Sequence, residues 1–273
     1  MVAFMFWNVK KMAAPDLIAS ACSTHPVDLL VLAECNLGSA QVRDALNRGR
    51  VEPFFEEVLP AHPWVRMFSR LPSGTIHRLF DGMRYSISRL KQTFGPELLL
   101  VAAHLPSKLH NKPQDQYSDA RELRDRVVEW EGLSGHSNTI IIGDFNMNPF
   151  DTGMTAADGL HAMMSKAIAA NLSRQYKGRR WEYFYNPMWS RIGDESHGPP
   201  GTYFYHGSDL ECLFWHTFDQ VLLRPSLLKF YKPESLKVLS KIGETELADQ
   251  RRIHTSVGDH LPILISLSLE GAS

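Results

Sequence analysis

Cysteine, net charge and long apolar runs are all scarce in this 273-residue chain. Its three cysteines, Cys22, Cys35 and Cys212, are an odd number without a CxxC spacing, which argues against a disulfide framework and a zinc site and fits a reducing compartment. Lys and Arg number 29 against 30 Asp and Glu, so the formal charge of -1 does not mark a nonspecific polyanion binder, though it leaves room for a local basic patch. No segment approaches the roughly 18 consecutive apolar residues of a membrane span. The opening MVAFMFWNVKK lacks a basic leader and a small-residue cleavage site, so it reads as a first strand of a soluble, cytoplasmic protein. The sequon at Asn171 then carries no weight. Repeats, low-complexity tracts and linkers are missing too, and 44% apolar content over this length suits one domain covering residues 1–273.

What is present is an interleaving of strand and helix patterns. VAFMFWNV, VDLLVLAEC, HPWVRMFS, MRYSISRL, ELLLVAAHL and NTIIIGDFN read as strands. APDLIASACSTH reads as a helix with Pro15 in its first turn, and SAQVRDALNRG as a short helix closed by Gly49. QDQYSDARELRDRVVEWEGL sets Ala120, Leu123, Val127 and Trp130 at helical spacing, the pattern of a surface helix packed on a sheet. A weaker helix is predicted over AADGLHAMMSKAIAAN. From Tyr176 to Trp215, aromatics, Gly and Pro predict long loops and short strands over a functional face, and LFWHTFDQVLL, SLKVLS and LPILISLSL supply closing strands.

Polar residues recur where these apolar runs stop: Asn8, Glu34, His104, Asp144 with Asn146, Asp219, and Asp259 with His260. Any one is more often a satisfied structural group, but six such stops, all of types that bind hard metals or move protons, point to one site. If strand conformation continues through GDFN, Asp144 and Asn146 project to the same side and Phe145 between them faces the core.

These residues, as WN (7–8), LAE (32–34), AHL (103–105), GDFN (143–146), FDQVL (218–222) and GDHLP (258–262), resemble the ordered motif set of the endonuclease/exonuclease/phosphatase superfamily. The resemblance runs from Phe6 to Leu269. It implies a four-layer α/β sandwich of two mixed sheets with helices outside, and Mg²⁺-dependent cleavage of a phosphate ester, with Mn²⁺ as a substitute. The last motif is usually Ser-Asp-His, and here Gly258 takes the place of the Ser.

Phosphodiester cleavage needs the phosphoryl charge neutralised, a nucleophile made from water and the leaving oxygen stabilised. Mg²⁺ favours carboxylate and water oxygens, which makes Glu34 the expected principal ligand, with Asn8 and Asp259 beside it. His260 paired to Asp219 resembles the family's His-Asp dyad, which favours a protonated imidazole. Asp144 is expected to orient or deprotonate the attacking water, and Asn146, Asn8 and His104 to hydrogen-bond the developing charge. Arg84, Lys108, Asn148 and Trp215 complete the expected substrate contacts, with solvated surface charge as the plainer reading of Arg84 and Lys108. Residues 173–189, SRQYKGRRWEYFYNPMW, interleave basic and aromatic side chains, which suits phosphate and base contact and equally a packed loop with a charged rim. The leading expectation is a nuclease with a nucleic-acid substrate. A phosphatase or phosphodiesterase of small or lipid phosphates is the alternative, and a noncatalytic phosphate-binding module with the same fold is the third.

Overall fold

The apolar runs do form strands, and the period of two along them decides what faces the middle of the molecule. The computed structural model describes residues 1–10, 12, 14–57, 64–93, 95–107, 112–207, 212–254 and 258–269. The first half comprises β1 (Val2–Asn8), α1 (Pro15–Thr24), β2 (Leu29–Ala33), α2 (Ser39–Asn47), β3 (Phe55–Glu56), β4 (Val65–Ser69), β5 (Ile76–Asp81), β6 (Tyr85–Leu90), β7 (Leu98–His104), α3 (Pro113–Ser134) and β8 (Thr139–Asp144). Shorter pieces follow: α4 (Thr152–Thr155), β9 (Ala162–Met163), α5 (Lys166–Ala169), β10 (Ser173–Tyr176), β11 (Arg179–Glu182), β12 (Phe184–Tyr185), β13 (Tyr203–Phe204), β14 (Trp215–His216), β15 (Asp219–Leu223), β16 (Lys237–Val238), β17 (Lys241–Ile242), β18 (Thr245–Glu246) and β19 (Ile263–Leu267).

Among the described residues, one mixed sheet has the order β16-β19-β1-β2-β4-β3 and a second the order β5-β6-β7-β8-β15-β12-β9. In the first, β1 and β2 run parallel with Asn8 opposite Ala33. In the second, β7 runs parallel to β8 with His104 opposite Asp144, and β15 runs antiparallel to β8 with Asp219 opposite Asp144. Leu98, Leu100 and Ala102 of β7, Ile140 and Ile142 of β8, and Val221 and Leu223 of β15 belong to the core shared with the first sheet. The alternate residues Leu99, Val101, Ala103, Ile141 and Leu222 pack instead with Ala120, Leu123 and Val127 of α3. By the same alternation His104, Asp144 and Asp219 take the inward side, one step beyond the last apolar residue of each strand.

The architecture is the expected α/β sandwich of two mixed sheets with helices on the outer faces. The helix α1 begins with Pro at its first position, Gly49 adopts φ 71° after α2, and Gly135 closes α3 with φ 73°. Trp130 is partly buried against the α3 cluster, and Phe145 is fully buried in it. The far end of α3 is tied to the sheet by a buried ion pair. Arg224 donates to both Glu131 carboxylate oxygens at 2.8 and 2.9 Å, and its guanidinium lies 3.9 Å from the Phe184 ring centre. The three cysteines are unpaired.

Two expectations are corrected here. The helix predicted over residues 156–171 is only the single turn α5, preceded by a tight turn and β9. The Leu160 amide returns to the Gly153 carbonyl, His161 takes φ 48°, and Ala162 pairs with Phe184. A Cβ on Gly159 would sit 2.4 Å from the Gly153 oxygen, so close packing overrides helix propensity. The stretch predicted to lie over a functional face also opens differently. β10 and β11 form an exposed hairpin beside α3, not over the strand ends that carry the polar residues.

At Gly143 a Cβ would fall 2.0 Å from the Ala103 carbonyl oxygen of the neighbouring strand. Gly143→Ala is therefore expected to destabilise the fold by about 3 kcal/mol or more, lowering the thermal midpoint by about 6 °C or more in a calorimetric scan. An unchanged midpoint would contradict the close strand approach.

Candidate active site

Five strand ends meet at one edge of the sandwich. From the first sheet come Asn8, the last residue of β1, and Glu34, the residue after β2. From the second come His104, Asp144 and Asp219, side by side in register. The segment entering β19 adds Asp259 and His260, with His260 bridged to Tyr203 of β13. Gly258 before them has φ 115°, a backbone state closed to the Ser usual there.

The Asn8 amide joins the two sheets. Its Nδ2 donates to Glu34 Oε1 and to Asp144 Oδ2, both at 3.1 Å, while its Oδ1 accepts the Lys10 backbone N–H. His104 Nε2 lies 3.3 Å from the same Glu34 oxygen and 3.8 Å from Asp144 Oδ2. Lys10 Nζ is 3.6 Å from the other Glu34 oxygen. Burial opposes ionisation of Glu34, but the hydrogen bonds from His104 and Asn8 and the nearby Lys10 charge outweigh it and lower its pKa to about 2. Glu34 is thus a carboxylate at any working pH, and it is only partly buried.

His260 and Asp219 form the buried half. His260 Nδ1 is 2.9 Å from Asp219 Oδ2, its Nε2 is 3.8 Å from Asp144 Oδ2, and its backbone carbonyl accepts the Trp7 indole N–H. Burial disfavours the charged imidazole, yet the Asp219 and Asp144 carboxylates prevail and raise its pKa to about 9. Burial pushes the Asp219 carboxyl up while its bond to His260 pulls the other way, so the shared proton resides on the ring. The Tyr203 ring lies tilted against this imidazole with ring centres 4.5 Å apart, and burial together with the acids Asp259 and Asp144 pushes its hydroxyl up to about 12.

The remaining predicted residues divide. Asn146 is next to Asp144, but not by strand alternation. β8 ends at Asp144 and Asn146 turns to φ 51°, so its backbone N–H caps Asp144 Oδ1 at 2.8 Å and its side chain donates to the Leu105 carbonyl. Asn148, an expected substrate contact, is buried, with its amide bonded to His216 Nδ1 and to the Thr217 N–H. Trp215 stands further out, its indole donating to the Gln250 carbonyl and its ring edge-on to Phe204. Arg84 borders the site. Its carbonyl accepts the His104 N–H and its guanidinium lies 4.0 Å from the centre of the half-exposed Trp64 ring. Lys108 lies outside the described residues. Lys10, Trp64, Thr202 and Tyr203 were not anticipated. Lys10 follows WNV directly, so its nearness to the site was there to be read; Thr202, which accepts the Asp219 N–H, carries no comparable signal.

The donor set suits a hard divalent cation. Glu34 offers a partly exposed carboxylate, and Asp259 Oδ1 is buried with no hydrogen-bond partner among the described residues, as expected of an oxygen reserved for a ligand. Asp144, Asp219 and His260 also offer ligand atoms within 4.8 Å of one another, but Asp219 is already engaged by His260.

The model of the Endonuclease/Exonuclease/phosphatase family matches residues 5–240, and the chain belongs to that family. The Asp259-His260 segment lies beyond the matched span, and the share of His260 in the site rests on the distances above. No curated protein sequence matches. Solved structures with the same fold include truncated Caenorhabditis elegans TDP2 (14% identity, 96% of each chain covered, TM-score 0.56). They also include the 3' phosphatase NExo from Neisseria bound to product DNA hairpin (14%, 98% of this chain and 99% of that one, 0.56) and the human Nocturnin catalytic domain with bound sulfate (14%, 97% and 93%, 0.53).

The pairing of His260 can be read by NMR. In the metal-free protein the His260 ring is expected to titrate above pH 8, and at lower pH in Asp219→Asn, because burial is then opposed by Asp144 and Asp259 without that carboxylate. A ring that titrates near 6.5 in both proteins would refute the assignment.

Proposed function

We propose that the chain is a divalent-metal-dependent phosphodiesterase, a nuclease acting on DNA or RNA, with Mg²⁺ as its cation. The observation that carries this reading is the meeting of Glu34, Asn8 and Asp144 with the His260–Asp219 pair at one edge of both sheets. Glu34 and Asp259 would hold the cation, with Asn8 beside them. Bound there, it supplies positive charge against the phosphoryl oxygens.

The protein's own groups do the rest. Asp144 has one oxygen fixed by the Asn146 N–H and the other by Asn8, so its free lone pairs are aimed at a water in line with the phosphorus and take that water's proton. His260, held charged by Asp219, donates its Nε2–H to a phosphoryl oxygen as negative charge builds there. His104 acts as a positioning residue, its Nε2–H turned to Glu34. Arg84, held over the Trp64 ring, presents its N–H groups to a flanking phosphate. Lys10 neutralises Glu34 until substrate and cation arrive.

The test is hydrolysis with Mg²⁺ of plasmid, single-stranded DNA, RNA and, in parallel, inositol phosphates. Glu34→Gln, Asp144→Asn and His260→Ala are each expected to lose about a thousandfold or more of the rate while keeping the wild-type circular dichroism spectrum, and a chelator to stop the wild type. Turnover of the inositol phosphates alone would favour the phosphatase alternative. No turnover of any substrate would favour a binding module.

A further inference from the structure

The basic stretch that the site leaves unused is the β10–β11 hairpin. Residues 174–180, RQYKGRR, hold four cations and no acid in a chain of net charge -1. Lys177 (φ 48°) and Gly178 (φ 72°) make its two-residue turn, the left-handed pair that matches strand twist. Cross-strand register sets Arg174 opposite Trp181 and Tyr176 opposite Arg179. These four share one face of the hairpin, guanidinium beside ring in a checkerboard. The Arg179 guanidinium is 4.3 Å from the Trp181 ring centre, Arg124 of α3 approaches the same ring at 4.9 Å, and Arg174 and Lys177 flank the Tyr176 ring at 5.8 and 5.4 Å.

On α3 the arginines are paired with carboxylates: Arg124 meets Asp125 and Arg121 meets Asp158. On the hairpin, Lys177, Arg179 and Arg180 have no carboxylate partner among the described residues, and Glu182 at its root is turned to Arg224. The root itself is fixed. His161 Nδ1 is 3.1 Å from the Glu182 carbonyl and its Nε2 accepts from Arg174 at 3.0 Å; burial, with Arg174 and Arg224 nearby, lowers this ring's pKa to about 4 and keeps it neutral. The hairpin therefore carries unneutralised charge, with the Arg174 and Arg179 guanidinium groups set against rings and N–H groups left for planar or tetrahedral oxyanions.

Its place relative to the site matters. Gln116, in the first turns of α3, donates to the Asn146 carbonyl beside Asp144, and Arg124 lies eight residues further along, about 12 Å at 1.5 Å per residue. A polymer leaving the cleft along α3 meets Arg121 and then the hairpin, which packs on Arg124.

We propose that the β10–β11 hairpin is a second binding surface for the phosphate backbone of a nucleic acid whose scissile bond lies in the cleft. The identity of the occupant rests on the nuclease reading. The surface holds phosphates, and the exposed Tyr176 ring is open to a base. Sequence preference is not expected of it.

The experiment compares wild type with the triple variant K177N/R179Q/R180Q, in which Asn at 177 suits the left-handed turn so that the hairpin survives. Binding of single-stranded DNA, single-stranded RNA and duplex DNA, of about four and about twenty nucleotides, is followed by fluorescence anisotropy without divalent metal across a salt series. Cleavage plays no part in this readout, so the proposal can fail while the nuclease reading stands, and the reverse. The variant is expected to bind the long strands at least tenfold more weakly at low salt, with the slope of log affinity against log salt reduced by about 2 for single strands, and the short strands as wild type does. The strand type with the larger loss identifies the polymer. Equal affinity and slope for long strands in both proteins, or equal loss on short and long ones, would overturn the proposal, provided the two melt at the same temperature.

Discussion

One amide nitrogen couples the two sheets. Asn8 Nδ2 has two hydrogens and spends them on carboxylates from different layers, Glu34 of the first and Asp144 of the second. Two like charges this close repel, and the amide between them, joined by His104, offsets that repulsion without neutralising either. The Lys10 N–H on Asn8 Oδ1 fixes which end of the amide faces the acids. If Asn8 is lost, Asp144 loses one of its two hydrogen bonds, and the His104–Glu34 contact is left to restrain the sheet edges at this point.

Backbone strain gathers at the same place. Among the described residues, six that are not glycine have positive φ, and two of them, Glu34 and Asn146, directly follow or flank the strand ends that carry the site. Each costs about 1 kcal/mol relative to ordinary backbone. The strain turns the chain out of the strand so that a carboxylate in one case, and a backbone N–H in the other, points into the cleft. The core supplies the rigidity that holds it: the inward faces of β1, β2, β7, β8 and β15 are apolar up to the last residue.

Much of this was legible in the sequence, for a physical reason. A buried strand announces itself as an apolar run, and a polar residue at the point where the run stops must lie at a sheet edge, so Asn8, Glu34, His104, Asp144 and Asp219 could be collected without knowing the topology. His260, before the final strand, followed the same logic. Less was legible where tertiary contact overrides local pattern. The segment 156–171 has helical propensity but is bent by the close approach of Gly159 to Gly153. The bonds of the Asn148 amide to His216 and to the Thr217 N–H are likewise visible only in the fold. Trp64 and Tyr203 precede no motif, and their rings come to His104 and His260 only through packing.

The central claim is that Glu34, set by Asn8 and His104, anchors a divalent cation at the meeting of the sheets. Electron paramagnetic resonance of added Mn²⁺ tests it without any substrate. Wild type is expected to hold one Mn²⁺ that Mg²⁺ displaces, and Glu34→Gln, folded as the wild type is, to leave that ion free in solution. Equal Mn²⁺ binding by both proteins would contradict the account.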